Sequence, residues 1–379
     1  MFFKSLAKYI LLSGAVFLVS FAGSWITGGN VRNQTIMSLP PGGDDDKPAE
    51  QVYKNIQALN GMPAKDLGMV MQFMRSSLGV RCSFCHVHDD KTNKWNWESD
   101  DKDEKATARK MINMVKGINK DYFESFSAVS CFTCHQGHNN VSRIPPLPQV
   151  IAPPRKEGKD TTLPTAENIL EQYGKSLGDV SKIKSATSRY SKGSLTGWNG
   201  KVFDLEIYQQ PANKYLQNVK TPDGVETECY DGTNGWAQDK SGVDDLEGFE
   251  LQRMKEYADF TGDFDLSGRY TKTKVIGRDT VNGKTAYIVS AVIDDNRNER
   301  LYFDVDSGLL LRKKLYTRYI IGFIPEQADY SDYRSVDGVM VPFSVHYSYL
   351  DPGIETDLKY SEVKLNASLD NISFTKPQK

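Results

Sequence analysis

The chain has 379 residues, 39% hydrophobic and 25% charged, a globular composition that excludes a disordered, collagen-like or polytopic membrane protein. A formal net charge of −2 leaves no global basic field, so nucleic acid is not an expected partner. The length predicts more than one domain, and five cysteines are too few for a disulfide scaffold.

Lys4 and Lys8 precede a largely apolar stretch from Tyr9 to Ala22. A short basic region before such a stretch reads as an export signal, with Ser20-Phe21-Ala22 as its cleavage site. Extended to Ile26, the stretch reaches about 18 residues, just enough to stay as a membrane anchor. Residues 1–27 are therefore a signal peptide or an N-terminal anchor. Both send the rest of the chain across the membrane, so the expected location is periplasmic, free or held at the inner membrane. Residues 28–47 are a Gly/Pro/Asp-rich flexible spacer.

Residues 48–141 read as helical. A short helix is predicted over Glu50–Ala58 and a clearer one over Ala64–Leu78, where Leu67, Met71, Met74 and Leu78 share a face and Gly79 stops the helix. Another is predicted over Glu104–Asn119, with Ala108, Met111, Val115 and Ile118 on one stripe. Residues 142–163 are a proline-rich linker, extended and semi-rigid. The last region, 164–379, opens with a helix over Thr165–Leu177, with Thr165 as N-cap and Ile169, Tyr173 and Leu177 on one face. The remainder reads as strand. Asn199-Gly200, Asp223-Gly224, Asn282-Gly283, Ser307-Gly308 and Asp337-Gly338 are hairpin signals between alternating runs. The predicted fold class is a multidomain α + β chain: a helical domain, then a curled antiparallel β-sheet (a half-barrel) with helices.

Four of the cysteines fall in two runs, Cys82-Ser83-Phe84-Cys85-His86 and Cys131-Phe132-Thr133-Cys134-His135. This is the c-type haem attachment pattern. Thiols at i and i+3 reach the two vinyl groups on one haem edge, and the adjacent His lies under the iron. Two Cys-x-x-Cys pairs could instead share a zinc ion, but zinc does not require the following His. A thioredoxin-like motif needs a βαβ context, and this region is helical. The expected cofactors are two covalently attached haems c. For the opposite axial position, Met71 and Met111 compete with Met69, Met74 and Met114, and a helical Met stripe is more often packing than ligation. His88 and His138 lie too close in sequence to the haem histidines to bind the same iron from the other side. The run Asp89–Lys105 reads as a solvated loop or as a guide for a basic redox partner.

From about Gln51 to Gly137 the sequence resembles the cytochrome c subunit of photosynthetic reaction centres and its non-photosynthetic relatives. The resemblance rests on Val52-Tyr53-Lys54-Asn55-Ile56-Gln57, Leu78-Gly79-Val80-Arg81, Ala108-Arg109-Lys110-Met111 and Ile118-Asn119 around the two haem motifs. It implies that Met71 serves the first haem and Met111 the second, with His86 and His135 opposite. Those subunits usually carry four haems, whereas this chain has motifs for two. From about Pro164 onward the pattern is similar to periplasmic lipoprotein-carrier and lipoprotein-sorting proteins, through Tyr230-Asp231-Gly232-Thr233-Asn234-Gly235-Trp236, Leu301-Tyr302-Phe303-Asp304 with Gly308-Leu309-Leu310, and Tyr333–Phe343. That likeness implies a groove for an apolar ligand or a docking platform. Ile320-Ile321-Gly322-Phe323-Ile324 is a candidate contact loop or a core run, Cys229 a buried inert thiol, and His346 a strand residue without acidic neighbours that would make a site.

The sequence therefore predicts an exported electron carrier rather than an enzyme, serving redox proteins or a membrane electron-transfer complex. The rival readings are a lipid- or quinone-binding carrier with accessory haems and a haem enzyme such as a peroxidase.

Overall fold

The computed structural model describes residues 47–124, 127–142, 144, 163–197, 199–266, 268–350 and 355–378. The export segment, all but the last residue of the spacer and nearly all of the proline-rich linker lie outside the described residues. Among the described residues no helix is long and apolar enough to cross a membrane.

The first helix, α1 (Ala49–Val52), is shorter than expected. Tyr53 is extended and Asn55 takes a φ of 63°, so the chain turns back and Ala49 N donates to Met62 O at 2.7 Å. A 3-10 turn (Ala64–Asp66) leads into α2 (Leu67–Leu78), and Gly79 ends it in the left-handed region at φ 64°, as its lack of a Cβ allows. The expected Asp89–Lys105 loop is more ordered than that. It holds a small hairpin, β1 (Val87–Asp89) with β2 (Lys94–Asn96), and the start of α3 (Asp103–Tyr122). The buried stripe of α3 is Ile112, Val115 and Asn119, rotated from the expected one. Met111, at 36% exposure, faces a cavity instead of the core. Helix α4 is Cys131–His135.

In the C-terminal region α5 (Ala166–Leu177) matches its prediction. Thr165 Oγ1 accepts from Asn168 N at 3.2 Å, and Ile169, Tyr173 and Leu177 are buried. A short α6 (Ser181–Ser185) follows. Then come β3 (Arg189–Gly197), β4 (Val202–Gln210), β5 (Lys214–Thr221), β6 (Gly224–Tyr230), β7 (Gly235–Asp239) and β8 (Gly242–Leu246). Helix α7 (Gly248–Tyr257), which the strand reading missed, separates them from β9 (Lys272–Val281), β10 (Lys284–Val292), β11 (Arg297–Asp304), β12 (Leu310–Tyr319), β13 (Gly322–Val336), β14 (Val339–Ser348) and β15 (Thr356–Leu365). Each of the five dipeptide signals lies at a turn between antiparallel neighbours.

The curled half-barrel is not what forms. The thirteen strands β3 to β15 make one open sheet in the order β8-β7-β6-β5-β4-β3-β15-β14-β13-β12-β11-β10-β9. Closure would need β8 to pair with β9, and α7 and its flanking turns stand between them in the chain. Hairpin dipeptides specify which strands are neighbours; they carry no information about whether the outermost strands meet.

One face of this sheet packs on α5 and α7. Leu177, Leu205, Leu301 and Leu310 are fully buried there, each worth about 1.5–3 kcal/mol relative to exposure. A separate cluster joins Leu67, Met69, Val70, Phe73, Ile112 and Cys131 of the helical region to Ile321 and Ile324 at the β12–β13 turn. The apolar Ile320–Ile324 run is thus a hairpin tip set into the helical region. Gly322, at φ 141°, sits so close that a Cβ there would lie 3.0 Å from the Ser130 Cβ and 3.5 Å from the Phe73 ring.

Cys229 is fully buried, its Sγ donates to the Phe374 carbonyl at 3.3 Å, and burial pushes its thiol up to about 12. His346 does acquire an acidic neighbour. Asp357 lies opposite it on β15 and its Oδ1 is 2.9 Å from Nδ1, but both side chains are well exposed.

Candidate cofactor site

Both Cys-x-x-Cys-His runs fold as tight turns that set the two thiols and the His close together. In the first, a 3-10 turn over Cys82–Phe84, the N–H groups of Cys85 and His86 donate to Cys82 O at 3.2 and 3.0 Å. The second is α4, whose start is tied by Ser130 N donating to Thr133 Oγ1 at 3.0 Å. The runs are brought together where the end of α2 crosses the chain that leaves α4. Gly137 N donates to Ser77 O at 2.9 Å, and a Cβ on Gly79 would lie 2.0 Å from Gly137 O.

Gly79→Val should therefore cost more than about 2 kcal/mol, through left-handed strain and the clash together. Gly61→Val is the control, since Gly61 has a φ of 79° and nothing within 4 Å of its Cβ position. Melting temperature and haem yield should fall for Gly79→Val well beyond the Gly61→Val loss; equal losses would mean that the crossing holds nothing together.

The two runs open onto one cavity of about 1190 Å³, above the roughly 300–1,000 Å³ of an ordinary single-ligand site. Cys82, Cys85 and His86 line it together with Cys131, Cys134 and His135. Met71 and Met74 of α2 and Met111 and Met114 of α3 line it too. Met69 does not: it is 3% exposed and packs in the helical cluster. The structure thus removes one competitor, Met69 of α2, and leaves a pair three residues apart on each helix.

The histidines differ in their surroundings. His135 Nδ1 lies 2.9 Å from His138 O. Donating to that carbonyl fixes the tautomer and leaves Nε2 as a free lone pair, the usual arrangement of a metal-binding His. His86 meets Trp97 edge-on, with ring centroids 5.1 Å apart, and Trp97 stacks on Trp95 at 4.4 Å. Its Nδ1 is buried without a hydrogen bond. Burial first, and then the Lys105 ammonium, push its pKa below the usual value against the nearby Trp97 carbonyl; the neutral ring is the form that binds iron. His88 is occupied elsewhere, its Nδ1 2.8 Å from Asp90 and its Nε2 3.2 Å from Asn93. His138 is exposed and outside the cavity lining.

Burial raises the thiols of Cys85 and Cys131 above their ordinary pKa. A redox Cys-x-x-Cys needs the reverse, a lowered thiol. Among the described residues no three Cys, His, Asp or Glu side chains converge as a metal-holding cluster, so the two pairs do not meet on a zinc ion. The donor set present fits haem: paired thiols at i and i+3, an adjacent His, and Met on the lining of the same large, mainly apolar cavity.

Sequence reasoning missed Trp97, Lys105 and Arg109 as parts of this wall. Lys105 Nζ donates to the carbonyls of Trp97 and Ser99, each at 2.8 Å. Arg109 reaches Asn55 O at 3.2 Å and Asp100 Oδ1 at 2.9 Å. The Arg109 hydrogen bond chiefly, helped by Asn55, holds the Asp100 carboxyl down at about 2. Asn55 and Arg109 stood in the motifs that carry the resemblance, which was the one available signal; Trp97 has no periodic mark.

Residues 27–162 match the family model for the photosynthetic reaction centre cytochrome C subunit. A photosynthetic reaction center cytochrome c subunit of Thermochromatium tepidum is 34% identical over 116 residues, covering 28% of this chain and 26% of that protein. Cytochrome c-554 of Chloroflexus aurantiacus is 28% identical over 114 residues, covering 26% of each. The match thus spans about a quarter of the length of these relatives. Among solved structures, a LolA superfamily protein of Nitrosomonas europaea superposes with a TM-score of 0.39 at 15% identity, covering 56% of this chain and 99% of that one. A putative outer membrane lipoprotein-sorting protein domain of Vibrio parahaemolyticus gives 0.37 at 10%, covering 53% and 92%. Scores this low carry no argument about the β region.

Proposed function

We propose that the chain is an exported dihaem c-type cytochrome that carries single electrons between membrane or periplasmic redox partners. The observation that carries this reading is the convergence of both Cys-x-x-Cys-His runs, 49 residues apart in sequence, on one cavity that methionines of α2 and α3 also line. Cys82 and Cys85 attach the first haem and Cys131 and Cys134 the second. His86 and His135 would each give an iron a nitrogen ligand, and Met71 and Met111 each a sulfur ligand. Bound haem supplies reversible one-electron iron chemistry. The chain's own contribution is to hold the ligands, keep the His86 imidazole neutral by burial and line the cavity with Leu67, Leu78 and Ile112. A donor set with both a His and a Met for each iron would favour electron carriage over a peroxidase, which needs an open iron position.

The same reading divides the chain into the haem region 48–141, a linker 142–163 and a β region 164–379 that serves docking or ligand binding. It puts the protein in the periplasm, released from or anchored by residues 1–27.

Met71→Ala and Met111→Ala should each remove one sulfur–iron charge-transfer band from the oxidised spectrum and lower one reduction potential, because Met opposite His raises it. Met69→Ala should leave the spectrum unchanged and cost about 2–5 kcal/mol of stability as a core truncation. Loss of a band in Met74→Ala or Met114→Ala, with Met71→Ala and Met111→Ala silent, would overturn the ligand assignment.

A further inference from the structure

The β region holds a half-buried cation short of a counter-charge. Arg189, at the start of β3, donates from Nε to Gln209 Oε1 at 2.8 Å, and its guanidinium lies 5.7 Å from the centroid of the Phe260 ring and 5.4 Å from that of Phe264. One of its five N–H donors is thereby used. Among the described residues no carboxylate stands within ion-pair distance of it. The acid that acts on it from further off, Asp263, is already taken by Lys313 Nζ at 2.6 Å and by the Tyr330 hydroxyl. Burial accordingly pushes the guanidinium pKa down. A charge drawn away from water is ordinarily paired, and here Arg189 lines open space instead.

That space is a cavity of about 250 Å³, with a second of about 210 Å³ that also has Arg189 on its wall. Tyr347 and Tyr360 line the larger one. Among the described residues neither hydroxyl has a hydrogen-bond partner, and burial keeps both phenols protonated, as donors. Leu195, Ile207, Val219, Val345 and Leu358 supply an apolar wall. Glu226, Glu228, Glu250 and Glu355 also line this cavity, together with Arg253, which lies 3.7 Å from Glu228.

We propose that this cavity binds a small amphipathic carboxylate, with its carboxyl on the Arg189 guanidinium and the Tyr347 and Tyr360 hydroxyls and its apolar body against Leu195, Val219 and Leu358. Carboxylate matches the planar fork of Arg. The volume falls below the roughly 300–1,000 Å³ of drug-sized sites, so the occupant is a short aliphatic or aromatic acid and not a long acyl chain. The inference does not rest on the haem reading.

The test is calorimetry on the full-length haem-loaded protein with octanoate, benzoate, octanamide and palmitate. Octanoate or benzoate should bind at one per chain, and octanamide and palmitate about tenfold or more weakly, a difference of about 1.4 kcal/mol. Arg189→Gln should lose about tenfold in carboxylate affinity while circular dichroism and the haem spectrum stay unchanged. Should Arg189→Gln fail to fold, Tyr347→Phe with Tyr360→Phe takes its place, with a several-fold loss expected. Equal affinity for octanoate and octanamide, tight palmitate binding, no binding of either short acid, or full carboxylate affinity in a folded variant would each overturn the proposal.

Discussion

Replacing Cys131 and Cys134 together by Ser should leave a chain that carries one haem and whose helical region melts well below that of the native protein. Helix α4 has five residues, too few to be stable alone. It is held by Cys131, 7% exposed in the helical cluster, by the Ser130–Thr133 bond and by the Gly137–Ser77 crossing. On the proposed reading, covalent attachment would tie two of its positions to a large apolar group, and binding energy of a group that the unfolded chain does not hold in place is folding energy. Serine also puts a hydroxyl where the Cys131 sulfur packs, which costs about 1–3 kcal/mol if it finds no partner. The measurement is the mass of the denatured variant together with its thermal melt followed at the haem band. The first haem should remain, because its own thiols lie on a separate turn. Loss of both haems would mean that the two attachments are one cooperative event.

Ile321→Asp should cost more than about 3 kcal/mol, as a carboxylate placed in an apolar cluster without a cation. Ile321 and Ile324 are each 1% exposed, and they pack against the helical region rather than the sheet from which they project. The Ser76 hydroxyl donates to Leu350 O at 2.7 Å beside them. The effect should be specific: the haem region and the β region, held together in the native chain by this tip, should melt as two separated transitions in the variant. Ile321→Val should cost about 0.5–1.5 kcal/mol and leave the transitions together. Differential scanning calorimetry reads both. A single unshifted transition in Ile321→Asp would show that the tip contributes nothing to the coupling.

That coupling was beyond the reach of the sequence. Ile320–Ile324 reads as an apolar run, but nothing local says that it packs on Phe73, some 250 residues earlier. The turns were legible because type I′ geometry needs positive φ at both central positions, and Asn282-Gly283 and Asp337-Gly338 take it. Helix α5 was legible through its Thr165 cap and a clean apolar face, and α2 through its Gly79 stop, although of its expected face only Leu67 is buried while Met71, Met74 and Leu78 line the cavity. The stripe on α3 was misplaced because Met111 and Ala108 are apolar for the cavity and not for the core, and periodicity does not tell the two apart. Helix α7 was missed because its apolar positions are sparse. The half-barrel was wrong because pairing order is local and closure is not. At the site, the Cys and His positions follow from spacing alone, whereas the Trp97 contact on His86 and the Asp357 partner of His346 arise from pairing across strands or loops.

The measurement that bears most directly on the central claim is the intact mass of the full-length chain, expressed with the cytochrome maturation machinery and denatured before analysis. Two covalent haem additions, with each Cys pair contributing one, are the expected result. A mass equal to the bare polypeptide, or to the polypeptide with a single haem, would contradict it.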